Sequence, residues 1–283
     1  MTSRFSRRQA LMLGGGALAG ALGAVTAAGS ASAVELAEAG SRAGTAGSDW
    51  IRLPIVTANI GRKRLGAREA AIRAVRNSHP GHRPLVGWQE INEGDTGEPA
   101  MIARHFGPYY RNAFLRDPGS YRVPISVPRH WKIVNSKRTF VHHGIEHATP
   151  PRWINEVVLE HVNHPGLKFA LINSHYIANA YNGNQNPKLR DEWDRHKKLH
   201  RERVLAHHAK GHLVIWTADT NNRAYDRATG RDAERKVFTN GVDRINWLPG
   251  NGKVRLDLLG KKDIPLHVDG HDARLAVFRI KLV

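Results

Sequence analysis

Short apolar runs separated by polar turns make up most of the chain after residue 50. Many of these runs are rich in Val, Ile and Trp and are too short for helices, so each predicts a buried strand. Residues 121–127 and 130–135 are predicted to form a hairpin, and the turn sequence VNHPG joins residues 153–161 to residues 167–174. The other predicted strands are residues 51–59, 84–88, 212–218, 241–248, 254–259 and 274–282.

Three segments show helical spacing of apolar residues, and they are residues 66–77, 99–106 and 187–210. In the longest of them, which is highly charged, Leu199, Val204 and Leu205 predict the buried face. Helices therefore separate only some of the strands, whereas a purely parallel sheet needs one after nearly every strand. This order predicts an α+β protein, a four-layer α/β sandwich in which two mixed β-sheets pack face to face and are flanked by helices.

The N-terminal segment differs from the rest of the chain in composition. Arg7 and Arg8 precede a weakly hydrophobic run rich in Ala and Gly, which ends in the small residues ASA. This layout is typical of a secretory signal peptide, and the paired arginines resemble a twin-arginine signal. We expect residues 1–33 to be removed on export, residues 34–49 to be a flexible lead-in and residues 50–283 to be the folded domain. An N-terminal anchor helix is the alternative, against which the glycines and the cleavage pattern argue.

Composition narrows the possible chemistry. The chain has no cysteine, which excludes disulfides, thiolate metal sites and a cysteine nucleophile. Its formal charge is +18; residues 1–33 hold three arginines and no acidic residue, so +15 remains without them. This surplus favours a polyanionic partner such as nucleic acid, an anionic membrane or a cell-wall polymer, and a basic protein without such a partner is the alternative. Because no later segment is long and apolar enough to span a bilayer, we expect no stable membrane insertion after signal removal.

Polar side chains recur where the predicted strands end. Strand ends that meet at one edge of a sandwich can hold such groups in a single preorganised site. For Asp219 and Asn221, which follow residues 212–218, the alternative is a turn capped by their own side chains. The residues concerned are Asn59, Glu90, His175, Asp219, Asn221, Asp243, Asp269 and His271.

The order of these stretches resembles a known family. The matching sequences are TANI, GWQEI, INSHY, TADTNN, GVDRINWLPG and DGHDARLAVF, which run from residue 57 to residue 278. In this order they resemble the endonuclease/exonuclease/phosphatase superfamily, which has the deoxyribonuclease I-like fold. The resemblance implies that residues 50–283 are a catalytic domain that hydrolyses phosphoesters with a divalent cation, usually Mg²⁺, with Mn²⁺ or Ca²⁺ as alternatives. A hard cation with oxygen ligands offsets the negative charge of a phosphate.

The same resemblance assigns the metal ligands. Glu90 matches the metal-binding glutamate, and Asn59 assists it. Similar enzymes usually have an aspartate directly before the last histidine, where this chain has Gly270. We expect Asp269 to reach the metal from one residue earlier; otherwise Glu90 and Asn59 hold it alone and more weakly.

The resemblance also assigns the groups that act on the phosphate. Asp219 positions and deprotonates the attacking water, and Asn221 binds the phosphate or the transition state. His271 contacts the scissile phosphate, while Asp243 orients its ring and favours its charged form. His175 is a phosphate ligand or a general acid.

Three further basic residues have competing interpretations. Arg152 precedes the strand at residues 153–161, near where many similar enzymes keep a phosphate-binding arginine; an ordinary surface arginine is the alternative. His196 and His200 are four residues apart and could bind a transition metal, but no third ligand is evident. The run KKLHRERVLAHHAK, which includes His200, is instead interpreted as a solvated basic face or a stripe that binds phosphates.

Together these features predict an exported, monomeric, metal-dependent nuclease that cleaves extracellular nucleic acid and is secreted or associated with the cell envelope. The basic surplus is the reason for a polyanionic substrate, because phosphate contacts dominate such binding. A sphingomyelinase-like or small-molecule phosphoesterase is one alternative; an exposed apolar hairpin would favour it, but the segment NAYNGNQNP is polar. A non-catalytic binding module is the other, and the presence of the candidate catalytic residues argues against it.

Overall fold

The computed structural model describes most of the chain after residue 48. The described residues are 49–61, 64–91, 97–145, 149–268 and 270–283. The predicted signal at residues 1–33, nearly all of the lead-in at residues 34–49, and Asp269 lie outside the described residues.

Within these residues the chain forms twelve strands and three α-helices. The helices are α1 (Arg68–Arg76), α2 (Glu98–Phe106) and α3 (Arg190–Ala209). The strands are β1 (Ile51–Asn59), β2 (Leu85–Gln89), β3 (Tyr110–Ala113), β4 (Ile125–Pro128), β5 (Trp131–His142), β6 (Arg152–His161), β7 (His164–His175), β8 (Leu213–Asp219), β9 (Arg235–Lys236), β10 (Asp243–Leu248), β11 (Val254–Ile264) and β12 (Ala273–Leu282). No described helix is both long and apolar enough to cross a membrane.

The strands form two six-stranded sheets. The first sheet has the order β11-β12-β1-β2-β4-β3, and the second has the order β5-β6-β7-β8-β10-β9. Each sheet contains one parallel pair, β1 with β2 and β7 with β8, and its other pairs are antiparallel. Parallel neighbours need a long crossover, and these two crossovers contain α1 and α3, whereas antiparallel neighbours can be joined by turns. This explains why helices separate only some of the strands.

Three layers of apolar side chains hold the four structural layers together. The central layer lies between the sheets and includes Trp131 and Phe169 of the second sheet and Phe278 of the first. α1 and α2 cover the outer face of the first sheet, with Ile72 of α1 in that cluster. α3 covers the outer face of the second sheet through Trp193. The predicted four-layer sandwich of two mixed sheets is therefore confirmed.

The predicted hairpin of residues 121–127 and 130–135 is wrong. β4 pairs with β2 and β3 in the first sheet, whereas β5 pairs with β6 in the second. The link between them is Arg129 and His130; the amide of Arg129 bonds the carbonyl of Tyr109 at 2.9 Å, and the carbonyl of His130 accepts from Val162 at 3.0 Å. These bonds hold the link as the chain passes from the first sheet to the second. The spacing of apolar residues cannot distinguish such a link from a hairpin turn.

Strand lengths also differ from the predicted ones at the sheet edges. The pattern does not predict β3 or β9, because runs of four and two residues are too short to show alternation. β11 continues past its predicted end at residue 259, since a bulge between Leu258 and Gly260 lets a charged, exposed edge stay paired with β12.

The predicted buried face of α3 is largely wrong. Of its three expected residues Val204 is buried, but Leu199 and Leu205 are only half-buried. The run expected to form a solvated basic face therefore turns histidines toward the core. The buried residues of α3 are Trp193, His196, His200, Val204 and His207.

These histidines take part in a buried polar network against β7. His196 Nε2 lies 2.5 Å from the Ser174 hydroxyl, and its ring stacks on Tyr176 with 3.8 Å between centroids. His200 Nδ1 lies 2.8 Å from the Tyr176 hydroxyl. Neither histidine belongs to a group of three or more metal-ligating side chains among the described residues, so nothing favours the transition-metal alternative.

Candidate active site at the edge shared by the two sheets

The candidate residues converge because of the strand order. β7 and β8 run parallel and place His175 directly opposite Asp219, while the antiparallel strand β10 places Asp243 on the other side of Asp219. In the first sheet β1 and β2 run parallel and both end at this edge, which carries Asn59 and Glu90.

A buried polar bridge ties the two sheets together below this edge. The side-chain amide of Asn173 on β7 donates to the carbonyl of Trp88 on β2 at 2.8 Å and accepts from Gln89 at 2.7 Å. Gly87 permits this close approach, because a Cβ there would lie 2.6 Å from the Asn173 side-chain oxygen. The bridge fixes the strand that leads to Glu90 against the strand that ends at His175.

Asp219 is the centre of the site and is only 1% exposed. Its Oδ1 accepts a hydrogen bond from the backbone N–H of Asn221 at 2.8 Å, so one of its two oxygens does cap the turn, as the alternative interpretation predicts. Its Oδ2 accepts from the Asn59 side chain at 2.9 Å and lies 3.5 Å from His175 Nε2. One oxygen thus fixes the turn, and the other faces the candidate site.

His175 Nε2 is the point at which three polar groups meet. The Asn221 amide nitrogen lies 3.2 Å away, Asp219 Oδ2 lies 3.5 Å away and Glu90 Oε1 lies 3.8 Å away. Asn221 also donates to the carbonyl of Tyr176 at 3.0 Å, which holds its side chain against the end of β7.

Asn182 is a site residue that the sequence analysis does not predict. Its side-chain amide donates to Asn221 Oδ1 at 2.7 Å. Asn182 lies in the polar loop after β7, where neither strand spacing nor the matched motifs mark it. Its contact fixes which way the Asn221 amide points.

Two candidate residues have backbones in the left-handed region. Glu90 has φ 59° and Asn221 has φ 48°. Asparagine tolerates this conformation, but for glutamate it is uncommon and costs energy, and such strain is concentrated at functional sites. Gly270, directly before His271, has φ 78°, so the aspartate usual in similar enzymes would be strained at this position.

Burial and charge shift the pKa values of the two central acid–base groups. Burial, together with the nearby charge of Asp243, raises the pKa of Asp219 to about 6. His271 Nδ1 lies 3.1 Å from Asp243 Oδ2. Burial would lower the pKa of His271, but the hydrogen bond and charge of Asp243, with the charges of Asp219 and Glu90, raise it to about 10. The site therefore pairs a carboxylate of near-neutral pKa with a histidine that stays cationic.

Removing the charge of Asp243 is expected to release the His271 proton. In Asp243→Asn the hydrogen bond and charge of that carboxylate disappear, while burial and the charges of Asp219 and Glu90 remain, so the pKa of His271 should fall from about 10 toward its ordinary 6.5. NMR titration of the His271 ring measures this directly. Asp263→Asn is the matched control, because Asp263 is exposed on β11. A His271 that still titrates near pH 10 in Asp243→Asn would show that Asp243 does not hold the proton.

The donor set fits a hard divalent cation. Glu90, His175 and Asp219 offer ligand atoms within 4.8 Å of one another, and so do Asp219, Asp243 and His271. Carboxylate oxygens dominate both groups, as Mg²⁺, Mn²⁺ and Ca²⁺ prefer. Asn59 turns its nitrogen to Asp219, and its oxygen accepts the Gly61 amide at 2.9 Å, so it positions Asp219 in this structure. The metal role of Asp269 stays a prediction, because that residue is outside the described part.

Arg152 begins β6 at the same edge of the second sheet. It is 5% exposed, which contradicts the alternative of an ordinary surface arginine. It pairs in register with His142 of β5. Burial of His142, and next the charge of Arg152, lower the pKa of that histidine to about 4. Its phosphate-binding role stays a prediction.

The architecture and this edge of strand ends define the class of fold. The chain has the fold of the endonuclease/exonuclease/phosphatase superfamily, which confirms the resemblance of its motifs at the level of the fold. It is similar to the endonuclease/exonuclease/phosphatase from Bacteroides vulgatus, with a TM-score of 0.59 and 11% identity over 82% of this chain and 100% of that one.

Two other solved structures show the same likeness. The human Nocturnin catalytic domain with bound sulfate has a TM-score of 0.55 and 14% identity over 81% of this chain and 96% of its own. Danio rerio TDP2 in complex with a single-strand DNA product has a TM-score of 0.55 and 16% identity over 80% of this chain and 98% of its own. No protein-family model matches the sequence, and the search of curated proteins found no match.

Proposed function

We propose that this protein is an exported, divalent-metal-dependent phosphoesterase that hydrolyses the phosphodiester bonds of extracellular nucleic acid. The observation that carries this proposal is the position of Asp219. Its carboxylate is buried between His175 on one side and the Asp243–His271 pair on the other, with Glu90 facing the same space. An acid of near-neutral pKa beside a cationic histidine suits the addition of water to a phosphate.

The metal would be held mainly by Glu90, with the Asp219 side of the site completing its ligands. When bound, a cation of this kind offsets the charge of the phosphate and of the leaving oxygen. Because Glu90 is 15% exposed at its side chain, solvent and substrate reach it, whereas the deeper Asp219 is shielded.

Asp219 is the group that accepts the proton of the attacking water. Its raised pKa makes it a stronger base than an ordinary carboxylate, and Asn59 and Asn221 fix its two oxygens. As the water oxygen bonds to phosphorus, the bond from phosphorus to the leaving oxygen breaks. His175 contacts the phosphate or supplies the proton that the leaving oxygen takes up.

His271 and Asn221 stabilise the charge that develops on the phosphate. His271 carries a proton at neutral pH, since its pKa is about 10, and Asp243 holds its ring in place. Removing one preorganised donor of this kind typically costs about 10²- to 10³-fold in turnover. Arg152, which begins β6 at the same edge, would bind a further phosphate oxygen.

Charge and the similar structures support nucleic acid as the substrate. The formal charge of +18 favours a polyanion, and binding through phosphates should weaken as salt rises. The similar TDP2 from Danio rerio is itself in complex with a single-strand DNA product. The twin-arginine-like segment and its cleavage pattern support export, so the polymer would be met outside the cytoplasm.

The decisive assay measures hydrolysis of plasmid DNA, RNA, sphingomyelin and a phosphomonoester by the same preparation. We expect Mg²⁺-dependent cleavage of a nucleic acid that stops on chelation with EDTA and returns when Mg²⁺ is restored, because carboxylate ligands bind the metal reversibly. Cleavage that continues at full rate in EDTA would contradict the metal dependence. Preferred hydrolysis of sphingomyelin or the monoester would replace nucleic acid as the substrate.

A further inference from the structure

A pocket lined by aromatic side chains lies beside the candidate active site. It has a volume of about 410 Å³, within the range typical of small-ligand sites. Its aromatic lining consists of Tyr121, Phe140, His143 and Trp153, and Arg122 adds a basic group. The described residues that line it include no carboxylate.

Hydrogen bonds fix this pocket directly against the site residues. The carbonyl of Arg122 accepts the amide of Ile91 at 3.2 Å, one residue after Glu90. The carbonyl of Trp153 accepts from the Ser174 hydroxyl at 3.2 Å, one residue before His175. Two pocket residues therefore bond the chain neighbours of Glu90 and His175, one on each sheet. Arg152 lies between the lining residues Pro151 and Trp153.

The aromatic rings contact one another at tilted or edge-to-face angles, and each leaves part of its surface open for a base to stack on. Phe140 lies 5.1 Å from Trp153 and 4.6 Å from His143 between ring centroids, and all of these rings are partly exposed. Arg138, which is ion-paired with Asp117, lies over the Trp153 ring at 5.3 Å. Arg122 lies over Tyr121 at 5.1 Å. Aromatic faces next to arginines are the means by which proteins hold single-stranded nucleic acid, since a base stacks while the cations meet the phosphates.

We propose that this pocket, here called the aromatic pocket, binds an unpaired nucleobase next to the scissile phosphate and makes single-stranded nucleic acid the preferred substrate. The inference rests on the proposed phosphodiesterase function and adds its substrate class. A base within a duplex is stacked and paired, so it reaches such a pocket only after the cost of leaving the helix. A strand with free bases enters without that cost.

The test compares three substrates of one sequence: a single-stranded oligonucleotide, its duplex, and a single strand whose flanking nucleosides are replaced by abasic tetrahydrofuran residues. The parent should cut the base-bearing single strand about 10-fold or more faster, in kcat/KM, than the abasic one and the duplex, because stacking on aromatic side chains is worth about 10- to 100-fold per base. Equal rates on base-bearing and abasic strands would overturn the proposal.

Variants of the aromatic pocket locate the effect. Phe140→Ala and Tyr121→Ala should lower kcat/KM on the base-bearing strand by about 10-fold or more and leave the abasic strand unchanged. Phe140→Leu keeps an apolar side chain without the ring, so the same loss there excludes a mere packing defect. Tyr109→Ala is the control, because Tyr109 is 50% exposed, lies over Arg83 and is outside the pocket. Equal losses on both strands in the Phe140 variants would overturn the proposal.

Binding separates this inference from the proposed function. Fluorescence anisotropy of labelled strands with Asp219→Asn, which does not depend on turnover, should show tighter binding of the base-bearing strand than of the abasic one, and Phe140→Ala in that background should remove the difference. If the parent cleaves no phosphodiester but this difference persists, the proposed function fails and the pocket assignment stands. If cleavage occurs but the two strands bind equally, the pocket assignment fails alone.

Discussion

Asp219→Asn is expected to lower kcat/KM for phosphodiester cleavage by about 10²- to 10⁴-fold, the range that a positioned general base contributes. The replacement keeps the size of the side chain but removes the basic oxygen that faces His175. Cleavage of an oligonucleotide with Mg²⁺ measures the loss. Asp232→Asn is the control, because the Asp232 side chain is fully exposed and lies away from the site.

The same variant should be more stable than the parent without added metal. The folded-state pKa of Asp219, about 6, is above its ordinary value of 3.8, so the folded state loses stability as pH rises from 3.8 to 6 and the carboxylate ionises. A neutral asparagine avoids that cost but gives up one of the two hydrogen bonds that the carboxylate accepts, so we expect a net gain of about 1 kcal/mol at pH 7. Chemical denaturation with and without the substitution measures this gain. A variant that loses activity and stability together would indicate damaged folding, and one that cleaves at the parental rate would show that Asp219 is not the base.

Acidification is expected to destabilise the protein strongly between pH 6.5 and pH 5, because several histidines are buried without charge. Burial lowers the pKa of His200 to about 3 and, helped by the charge of Arg152, that of His142 to about 4. Burial and nearby histidines lower the pKa of His196 as well. Protonation would also leave buried N–H groups without an acceptor, since His200 Nε2 and His196 Nδ1 have no hydrogen-bond partner among the described residues.

The direction of this effect follows from proton linkage. These folded-state pKa values lie below the ordinary 6.5, so below pH 6.5 the unfolded chain binds protons that the folded chain does not bind. The free energy of unfolding therefore falls with pH until the folded-state pKa is reached. At pH 5 each such histidine lowers the free energy of unfolding by about 2 kcal/mol. His271 does not oppose this, because its raised pKa makes stability change only between pH 6.5 and about 10. Asp219, with its pKa of about 6, offsets only about 1 kcal/mol of the loss at pH 5.

A neutral replacement isolates the contribution of one histidine. His200→Gln keeps a group that can bond the Tyr176 hydroxyl but cannot take up a proton in this range. Between pH 7 and pH 5 it should lose about 2 kcal/mol less stability than the parent in denaturant titrations. His208→Gln is the matched control, because His208 lies on the same helix and is only half-buried. Parallel pH profiles for parent and His200→Gln would show that His200 does not resist protonation.

The positions of the candidate residues could be predicted because apolar strands end abruptly at them. Asp219 and Glu90 each follow a run of fully buried residues, and the order of such endings is a pattern that a sequence displays. What the pattern could not predict is how two sheets bring those endings together. That depends on the parallel pairs β1–β2 and β7–β8, whose register is set by contacts far apart along the chain.

Most of the other features that the sequence did not predict involve polar residues in an unexpected environment. His200 lies in the run interpreted from sequence as a solvated basic face or a phosphate-binding stripe, yet the hydroxyl of Tyr176 supplies a hydrogen-bond partner that lets it be buried neutral, as Ser174 does for His196. Asn182 acts on Asn221 from a loop, where no periodicity exists to mark it. In each case the partner is distant in sequence, so no local signal could reveal it.

The most direct test of the central claim is a crystal of the protein with Mn²⁺ and a nucleoside monophosphate, in which anomalous scattering locates the metal. Mn²⁺ accepts the same oxygen ligands as Mg²⁺. We expect one strong peak against the Glu90 carboxylate, with the phosphate in contact with Asn221 and His271. Metal and phosphate bound elsewhere, with this edge of the sheets holding neither, would contradict it.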